Sequence, residues 1–500
     1  MVKNIIINVL LTIVFGSTIG CSKDDFNRKG IGLIEDGDYY VATWGDDNNA
    51  GTFDSPWATW RKAFETAEAG DIVYFRGGVY MATANPNINY SGIVQVNPTS
   101  GLGHSGRAGS PIYYFNYPGE TPILDGTNVY PNTNYNTGIS LERVEYIYIK
   151  GLTIRNLSQF ASNKIAIGVD ATLCANLTFE NMTVHNISGR GFSVFSGAWN
   201  TWDGGGTPGY FAIDSTSWIN CDVYNLCDTL SNAGAGNAGD GWKCHGYQGG
   251  YFSWEGCRAW NYSDDGIDPS GECYKVFNNC WVMSTEKYKS VCPTMEGNGI
   301  KASALNPVYF FRNLLIDTNI VKYNNCIAAY CVGVGFYNNL AINTQADYTD
   351  QEVVYISNAA LLYNNIAYKN ATGFSDGGGG KGALSPTYKN NIAYAATELN
   401  SLGWPANVFI YGGEYPESNN TWELMLDYYP YFNEDLPVTD ADFVSLMPLR
   451  LTGPRKTDGS LPDINFLKLS TGSDLKSAGA NVGISEKPDI GVDWNNLKRK

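Results

Sequence analysis

Charged side chains are scarce in this chain: Asp, Glu, Lys and Arg together make up 16% of its 500 residues. Intrinsically disordered proteins and coiled coils need a higher charge content, so the composition excludes these two classes. Histidine is rarer still, with only His104, His185 and His245. So few imidazoles argue against a zinc site built from several histidines and against a histidine-driven hydrolytic triad.

Positive charge is also in short supply, because 33 Lys and Arg face 49 Asp and Glu, for a net charge of −16. This charge argues against a nucleic-acid partner. It would also repel an acidic polysaccharide, unless a metal ion or a few lysines reverse the field at the site. What the chain does contain is 43% apolar residues, with 56 Gly, 34 Tyr and 13 Trp. Arranged in short apolar runs, these residues predict an all-β chain with a large core.

The apolar stretch at the N-terminus, residues 5–15, is too short to span a bilayer. It follows Lys3 and precedes small residues, as in an export signal. Cys21 comes directly after Gly20, as in a bacterial lipoprotein signal whose cysteine is acylated after cleavage. Thr18 departs from that pattern, since such signals usually carry Leu there. Soluble secretion with cleavage elsewhere is the alternative.

We therefore assign residues 1–20 to a lipoprotein signal peptide, residues 21–37 to a polar tether behind lipidated Cys21, and residues 38–500 to one domain. Residues 22–25, with two aspartates, resemble the acidic tag that follows the lipidated cysteine in surface-exposed bacterial lipoproteins. These features predict an exported lipoprotein of the outer membrane that faces the cell surface. The lipid anchor would be its only contact with the membrane, and we expect a monomer.

A short repeat runs through most of the chain: Gly or Asn, then an apolar residue or Cys, then a β-rich run. Successive instances are 23 to 39 residues apart. The shortest spacings, near 23–26 residues, fit one coil of a parallel β-helix, and the longer ones fit coils with insertions. Stacked coils of such a helix lie about 4.8 Å apart. Asn at equivalent corners could form a hydrogen-bonded ladder. The instances are Gly151-Leu152, Asn181-Met182, Asn220-Cys221, Gly256-Cys257, Asn279-Cys280, Asn313-Leu314, Asn339-Leu340, Asn365-Ile366 and Asn391-Ile392.

A second motif, x-Gly-apolar-x, precedes these corners by 14 to 16 residues in five of its six instances. Two patterns in phase predict a right-handed, single-stranded parallel β-helix. Residues 57–69 have the apolar spacing of an amphipathic helix, which we expect to cap the N-terminal edge of the solenoid. Beyond about residue 400 the tail should pack back along the coils. The instances of the second motif are 137–140, 167–170, 190–193, 240–243, 265–268 and 298–301.

Three cysteines, Cys221, Cys257 and Cys280, follow the corner residue where other coils carry Leu, Met or Ile. This position predicts an inward column of buried, apolar-like thiols. Disulfides between adjacent coils are the alternative, because such coils lie within bridging distance. The chain has no CxxC pair of the kind that binds zinc.

Four carboxylates lie where the two motifs are best in phase. Asp264 and Asp265 follow Asp240 by 24 and 25 residues, which is one coil, so these residues and Asp268 should converge on a small patch. Four like charges together require a cation, and oxygen ligands without His or Cys point to Ca²⁺. Lys243, Asp268 and Lys301 hold the fourth place of successive motifs and should form a column.

This patch allows a structural and a catalytic interpretation. In the first, calcium joins two coils, and Lys243 and Lys301 are counter-ions to Asp268. In the second, calcium binds a substrate carboxylate while a lysine removes the proton at C5 of a uronic acid. A lysine acts as a base only when burial or nearby cations lower its pKa, and calcium or the neighbouring lysine could do so.

These segments resemble polysaccharide lyase family 9, whose members are calcium-dependent pectate and rhamnogalacturonan lyases on a right-handed parallel β-helix. The resemblance implies an acidic, galacturonate-containing plant cell-wall polysaccharide as substrate, cleaved by β-elimination. It implies that Asp240, Asp264, Asp265 and Asp268 hold calcium and that Lys301 is the base. It covers most of residues 38–495. The matching segments are 238–243 (AGDGWK), 257–268 (CRAWNYSDDGID) and 297–301 (GNGIK), with weaker matches at 39–46, 69–80 and 461–468.

Two other functions remain as alternatives. A β-helix glycoside hydrolase would use paired carboxylates and water, but it would give the lysine column no purpose. A non-catalytic glycan-binding β-helix would need no base. For substrate binding, Lys243 is a candidate, and so are Trp199, Trp202 and Tyr210 in the insertion 197–210, where aromatic rings could stack on sugars. Ordinary packing is the alternative for these three rings.

The lipid anchor can be tested by replacing Cys21 with Ala. Without the acylated cysteine, the protein should leave the membrane fraction and keep its fold, as measured by fractionation and circular dichroism. A Cys21→Ala protein that still fractionates with membranes would show that the anchor is something else.

Overall fold

The computed structural model groups the chain into two units, Met1–Asp36 and Gly37–Lys500, and the second unit contains the β-helix. The structure describes residues 36–83, 92–129, 136–159, 161, 164–195, 215–230, 236–246, 250–271, 273–283, 292, 298–303, 308–311, 314–316, 326–329, 334–337, 340–342, 355–357, 360–369, 374–375, 387–395, 408–409, 417–421, 425–426, 429–430, 438–447, 451–483 and 485–493.

Short β-strands dominate the second unit. In chain order they are β1 (Tyr39–Val41), β2 (Ile72–Phe75), β3 (Gly78–Met81), β4 (Gly92–Val96), β5 (Ile112–Asn116), β6 (Pro122–Asp125), β7 (Asn136–Glu142), β8 (Glu145–Lys150), β9 (Thr153–Leu157), β10 (Ala166–Thr172), β11 (Ala175–Glu180), β12 (Thr183–Ile187), β13 (Gly189–Phe195), β14 (Ser215–Ile219), β15 (Asp222–Leu226), β16 (Trp242–Gly246), β17 (Tyr251–Glu255), β18 (Arg258–Trp260), β19 (Ile267–Gly271), β20 (Tyr274–Asn278), β21 (Trp281–Met283), β22 (Ile300–Ser303), β23 (Val308–Phe311), β24 (Leu314–Ile316), β25 (Cys326–Ala329), β26 (Val334–Tyr337), β27 (Leu340–Ile342), β28 (Tyr355–Ser357), β29 (Ala360–Tyr363), β30 (Ile366–Tyr368), β31 (Phe374–Ser375), β32 (Thr387–Lys389), β33 (Ile392–Tyr394), β34 (Val408–Phe409), β35 (Glu417–Ser418), β36 (Met425–Leu426) and β37 (Tyr429–Pro430).

Three parallel sheets share these strands, and each turn of the chain adds one strand to each sheet. Sheet A runs from β1 and β2 through every third strand to β35, sheet B from β3 to β33, and sheet C from β4 to β34. Within the described residues, β2–β34 therefore form successive coils of three strands. This arrangement confirms the predicted single-stranded parallel β-helix. Among the strands of the described residues, β36 and β37 are the pair that runs antiparallel.

The first repeat forms the corner between sheet A and sheet B. Asn181, Asn220 and Asn279 have φ of 51°, 53° and 54°, and Gly151 and Gly256 have φ of 69° and 64°. This left-handed backbone is open to Gly and tolerated by Asn, whereas most other side chains clash with the following carbonyl. The corner requirement therefore explains why only Gly and Asn occupy this place in the motif.

The cysteine column is confirmed for the earlier coils and corrected for the later ones. Cys221, Cys257 and Cys280 are thiols outside any disulfide and have no exposed surface. Strand pairing aligns Trp281 with Leu314, Leu340 and Ile366, so Cys280 shares its column with Asn365 and not with Ile366. The expectation was wrong by one residue because the later coils place two asparagines at the corner and turn the second one inward.

An asparagine ladder runs through these later coils, as the sequence predicts. Asn365 Nδ2 donates to Asn391 Oδ1 at 2.9 Å, and Asn391 Nδ2 donates to Asn420 Oδ1 at 3.0 Å. Asn365 and Asn391 have no exposed surface. Because each amide bonds the next one, the ladder satisfies polar groups that would otherwise be costly to bury.

The glycine of the second motif faces the core at a point where the coils approach closely. A Cβ added to Gly168 would overlap Val184 Cγ1 and lie 2.6 Å from Gly191 O. A Cβ added to Gly266 would overlap Val282 Cγ1 in the same way and lie 2.6 Å from Gly299 O. The missing side chain therefore allows sheet C to pack against sheet B at this level.

A short helix, α1 (Trp60–Thr66), lies within the predicted 57–69 segment. It begins after Thr59, whose hydroxyl accepts from Lys62 N at 3.1 Å, and the backbone is extended again at Ala67. Its buried face packs on the first two coils, where the ring centroid of Phe64 lies 6.1 Å from that of Phe75 of β2, and Phe64 stacks on Tyr114 of β5 with ring centroids 3.8 Å apart. The helix is confirmed over a shorter range, and its role as a cap stays a prediction.

The C-terminal tail packs back along sheet B, as the sequence predicts. Arg455 Nη2 donates to Asp222 Oδ1 at 2.5 Å and to Cys221 O at 3.1 Å. Farther along, Asn364 Nδ2 donates to Asp489 O at 2.6 Å. Within the residues that the structure describes, no helix combines the length and apolar character needed to cross a membrane.

Replacing Gly168 with Ala should destabilise the fold by about 1–3 kcal/mol, because the added methyl group overpacks the space between sheets B and C. Gly472→Ala is the matched control, since a Cβ there would meet nothing within 4 Å. The midpoint of urea unfolding measures both changes. Equal midpoints for the two variants would contradict the close approach.

Candidate active site

The second motif places two rows of polar side chains on the outer face of sheet C. Its glycine and its apolar residue face the core, so the two flanking residues face outward. Strand pairing stacks each position on its equivalent in the next coil. The first row contains Arg190, Asp240, Asp265 and Asn298, and the second contains Ser193, Lys243, Asp268 and Lys301.

Three of the four predicted carboxylates meet. Asp240, Asp264 and Asp265 each offer an oxygen atom, and these atoms lie within 4.8 Å of one another. Asp240 and Asp265 are 1% and 0% exposed, and Asp264 is partly buried. The turn that carries Asp264 is held in place because Ser263 N and Asp264 N donate to Gly239 O at 3.2 and 3.4 Å.

Neighbouring polar groups orient the buried carboxylates. Arg190 Nε lies 3.3 Å from Asp240 Oδ2. Asn298 donates to Asp265 Oδ1 through its backbone N and its Nδ2, each at 2.8 Å. Lys301 Nζ lies 2.9 Å from the other oxygen, Asp265 Oδ2. Both oxygens of Asp265 are therefore held, which fixes the direction of its remaining lone pairs.

Asp268 lies in the second row, between the two lysines. It pairs with Lys243, and its Oδ2 is 3.8 Å from Lys301 Nζ. The predicted column of Lys243, Asp268 and Lys301 is present in the strand register. Asp268 is outside the group of three converging carboxylates, so its role as a metal ligand stays a prediction.

The carboxylates are crowded enough to retain protons. Burial raises the pKa of Asp264 to about 9, and the charges of Asp240 and Asp265 act in the same direction. Burial also raises the pKa of Asp268 to about 6, with Asp265 adding to the effect and Lys243 opposing it. The site thus carries more negative charge than its own lysines and arginine neutralise, and a proton takes up the excess.

The two lysines have pKa values above the usual range. Burial alone would lower the pKa of Lys301, but Asp265 and Asp268 outweigh it and raise the pKa. The pKa of Lys243 is raised in the same way, by Asp240 and Asp268 against burial. The expectation that calcium and the neighbouring lysine lower the pKa of the base therefore stays a prediction, since these directions hold for the site without a cation.

The donor set fits a hard divalent cation. The group offers carboxylate oxygens only, and within the described part of the chain no His or Cys belongs to it. Calcium accepts six to eight such oxygens at flexible geometry, whereas zinc prefers nitrogen and sulfur. The raised pKa of Asp264 agrees with this fit, since a bound cation would take the place of the proton that the cluster retains.

Two orienting residues, Arg190 and Asn298, were missed at the sequence level. A signal existed, because each opens an instance of the same motif as Asp240, one coil before it and two coils after it. The disulfide Cys227–Cys292, between cysteines 65 residues apart, gave no such signal. Trp199, Trp202, Tyr210 and Cys21 lie outside the described residues.

Comparisons with known proteins agree with the parallel β-helix fold. Residues 39–400 match the family described as Pel9A-like, right-handed β-helix region. Pectate lyase L of Dickeya chrysanthemi is 27% identical over 478 residues, which cover 91% of this chain and 89% of that protein.

Two solved structures share the fold. The crystal structure of pectate lyase Pel9A has a TM-score of 0.60 and 22% identity, covering 91% of this chain and 95% of that one. A rhamnogalacturonan lyase has a TM-score of 0.58 and 24% identity, covering 87% and 96%. These likenesses show the right-handed parallel β-helix.

The raised pKa of Asp264 predicts how stability depends on pH in the presence of a chelator. The folded carboxyl holds its proton up to about pH 9, whereas the unfolded one releases it near pH 3.9. The folded state thus binds more protons over this window, so stability falls as pH rises. Asp264→Asn stays neutral, and its stability advantage over the wild type should grow from pH 5 to pH 8.

Urea unfolding midpoints at both pH values measure this advantage, and Asp474→Asn, an exposed site, is the control. An advantage for Asp264→Asn that is the same at pH 5 and pH 8 would show that Asp264 is already ionised.

Proposed function

The chain belongs to the family of Pel9A-like right-handed β-helix proteins, and on this premise we propose that it is a calcium-dependent polysaccharide lyase. It is a lyase of the pectate lyase type, as its relatives' names indicate. The proposed substrates are galacturonate-containing pectic polymers, either homogalacturonan or rhamnogalacturonan I, cleaved by β-elimination. The observation that carries this proposal is the buried group of three aspartates beside Lys301.

The lysines of the second row, Lys243 and Lys301, favour elimination over hydrolysis. A glycosidase needs one carboxylic acid and one carboxylate on opposite sides of the glycosidic bond. Here three carboxylates converge within 4.8 Å, and a lysine stands next to them. That arrangement suits binding of an acidic group together with removal of a proton. A glycan-binding protein without activity would need no base at this position.

Lys301 is the proposed base. Its ammonium group lies on the outer face of sheet C, 2.9 Å from Asp265 and 3.8 Å from Asp268, with 42% of its side chain exposed. A polymer that crosses this face would present its uronic acid to the neutral amine. Lys301 would take the proton from C5, the freed electron pair would form the C4–C5 double bond, and the leaving sugar would depart with the electrons of the C4–O4 bond.

Asp240, Asp264 and Asp265, with Asp268 at the rim, would hold the calcium. When bound, calcium would offset the negative charge that develops on the substrate carboxylate. Arg190 and Asn298 keep the ligand oxygens in position for it. Once Asp265 and Asp268 serve as ligands, they no longer raise the pKa of Lys301, and burial then lowers it toward the neutral form.

Lys243 has a different proposed role. It pairs with Asp268 on the side of the column away from Lys301, and we assign it to binding of an anionic sugar rather than to proton removal. The proposed location is the outer surface of the cell, where an anchor at Cys21 would hold the enzyme as a monomer next to an extracellular polymer.

Lys301→Ala should lower kcat by roughly 10²–10⁴-fold and leave KM nearly unchanged, because it removes the base and keeps the binding groups. Lys301→Arg should not restore activity, because a guanidinium stays protonated. The assay is ultraviolet absorbance of the unsaturated product from both polymers. Chelation should abolish turnover, and Ca²⁺ should restore it better than Mg²⁺, which demands tighter geometry.

Lys456→Ala, at an exposed ion pair with Asp463, is the matched control and should be fully active. A wild-type kcat for Lys301→Ala together with an inactive Lys243→Ala would assign the base to Lys243. Depolymerisation without new absorbance would indicate hydrolysis. Full activity after exhaustive chelation would remove calcium from the mechanism.

A further inference from the structure

A disulfide joins two segments that both lead to the carboxylate group. Cys227 and Cys292 are bonded, with Cα atoms 5.9 Å apart, and they are 7% and 0% exposed. Six other cysteines that the structure describes are buried thiols outside any disulfide. Among the described cysteines, this one pair is oxidised. The segments that the bond joins show which part of the fold it constrains.

The Cys227 end supports the turn that carries Asp264. The next residue, Asp228, is fully buried and accepts a hydrogen bond from Ser263 Oγ at 3.4 Å. Ser263 directly precedes Asp264. The backbone of this strand end is fixed as well, because Cys227 N donates to Ile187 O at 3.1 Å.

The same segment touches the Asp264 turn a second time at Gly239. Ser263 N and Asp264 N both donate to Gly239 O. A Cβ added to Gly239 would overlap Ser263 Oγ, so the two segments are packed as closely as the backbone allows. Asp228 and Gly239 thus both contact Ser263, which directly precedes Asp264.

The Cys292 end leads to the residues that hold Asp265. Asn298 follows Cys292 by six residues and donates two hydrogen bonds to Asp265 Oδ1. Lys301 comes next in β22 and pairs with Asp265 Oδ2 at 2.9 Å. The disulfide therefore links the strand end that supports the Asp264 turn to a cysteine six residues before Asn298, which supports Asp265.

We propose that the Cys227–Cys292 disulfide is a positioning element that sets the calcium affinity of the aspartate group by fixing these two supports relative to each other. The inference rests on the proposed function, since it concerns the same metal site. Bringing like-charged carboxylates together is unfavourable. A cross-link holds them together in the folded protein before the cation binds, so that less of the binding free energy is spent on assembling the site. Supports behind metal ligands typically change metal affinity by 10–100-fold.

The disulfide also bears on the cellular compartment in which the protein works. Disulfides persist in oxidising, extracytoplasmic environments, which agrees with the predicted export of the chain. In the test, dithiothreitol supplies two electrons and two protons, the S–S bond becomes two thiols, and dithiothreitol closes to its cyclic disulfide. The reduced protein should have a weaker calcium site with the same ligands.

The experiment is calorimetric titration of the chelator-treated full chain with Ca²⁺ alone, well below the unfolding temperature. The Kd should rise by about tenfold in Cys227→Ser, in Cys292→Ser and in the reduced wild type. The double variant should match the single ones, because both remove the same bond. In the assay, the Ca²⁺ concentration for half-maximal activity should rise by the same factor, while kcat at saturating Ca²⁺ stays within about twofold.

Cys174→Ala is the matched control, because it removes a buried thiol that is outside any disulfide and keeps the Cys227–Cys292 bond. It should lower the unfolding midpoint without changing the Kd. A wild-type Kd in the Cys227→Ser and Cys292→Ser variants would overturn the proposal and leave the calcium site intact. An equal rise in Cys174→Ala would reduce the effect to general destabilisation. A wild type that binds no Ca²⁺ would overturn both this inference and the proposed metal site.

Discussion

Backbone hydrogen bonds between successive coils hold sheet C in one register, and the site depends on that register. They stack Arg190, Asp240, Asp265 and Asn298, which are far apart in sequence, into one row. A slip of one residue would turn these side chains toward the core and bring the apolar residues out. The glycine of the second motif makes the register possible, because any side chain there would clash with sheet B. The fold and the site therefore share one requirement.

Crowded carboxylates are the second consequence of this register. Asp240, Asp264 and Asp265 are buried together, which is unfavourable unless other groups compensate. Arg190, Asn298 and Lys301 each compensate part of the charge, and the pKa of about 9 for Asp264 shows that this is not enough. If the aspartate group binds a cation, as we propose, that binding would release the retained proton.

Much of this could be predicted from the sequence, because coil length is nearly constant where the motifs are in phase. An offset of 24 or 25 residues was enough to place Asp240 over Asp264 and Asp265. The reasoning failed where the period hides a local change, as at Asn365, where a second corner asparagine shifts the column by one residue. The disulfide could not be read, since Cys227 and Cys292 lie on loops outside both motifs and only the packed structure brings them together.

Lys301 shows why geometry and electrostatics have to be considered together. The carboxylates that hold its ammonium group 2.9 Å from Asp265 are the same ones that raise its pKa and keep it from acting as a base. Those carboxylates can pair with the ammonium group of Lys301 or bind a cation. In the proposed mechanism, only cation binding would leave the amine of Lys301 neutral. Asp268 lies between Lys243 and Lys301, and in the proposed mechanism the reactivity of Lys301 would depend on occupation of the aspartate group. Binding of the metal and activation of the base would then be one event, produced by two rows of side chains that the coil register places side by side.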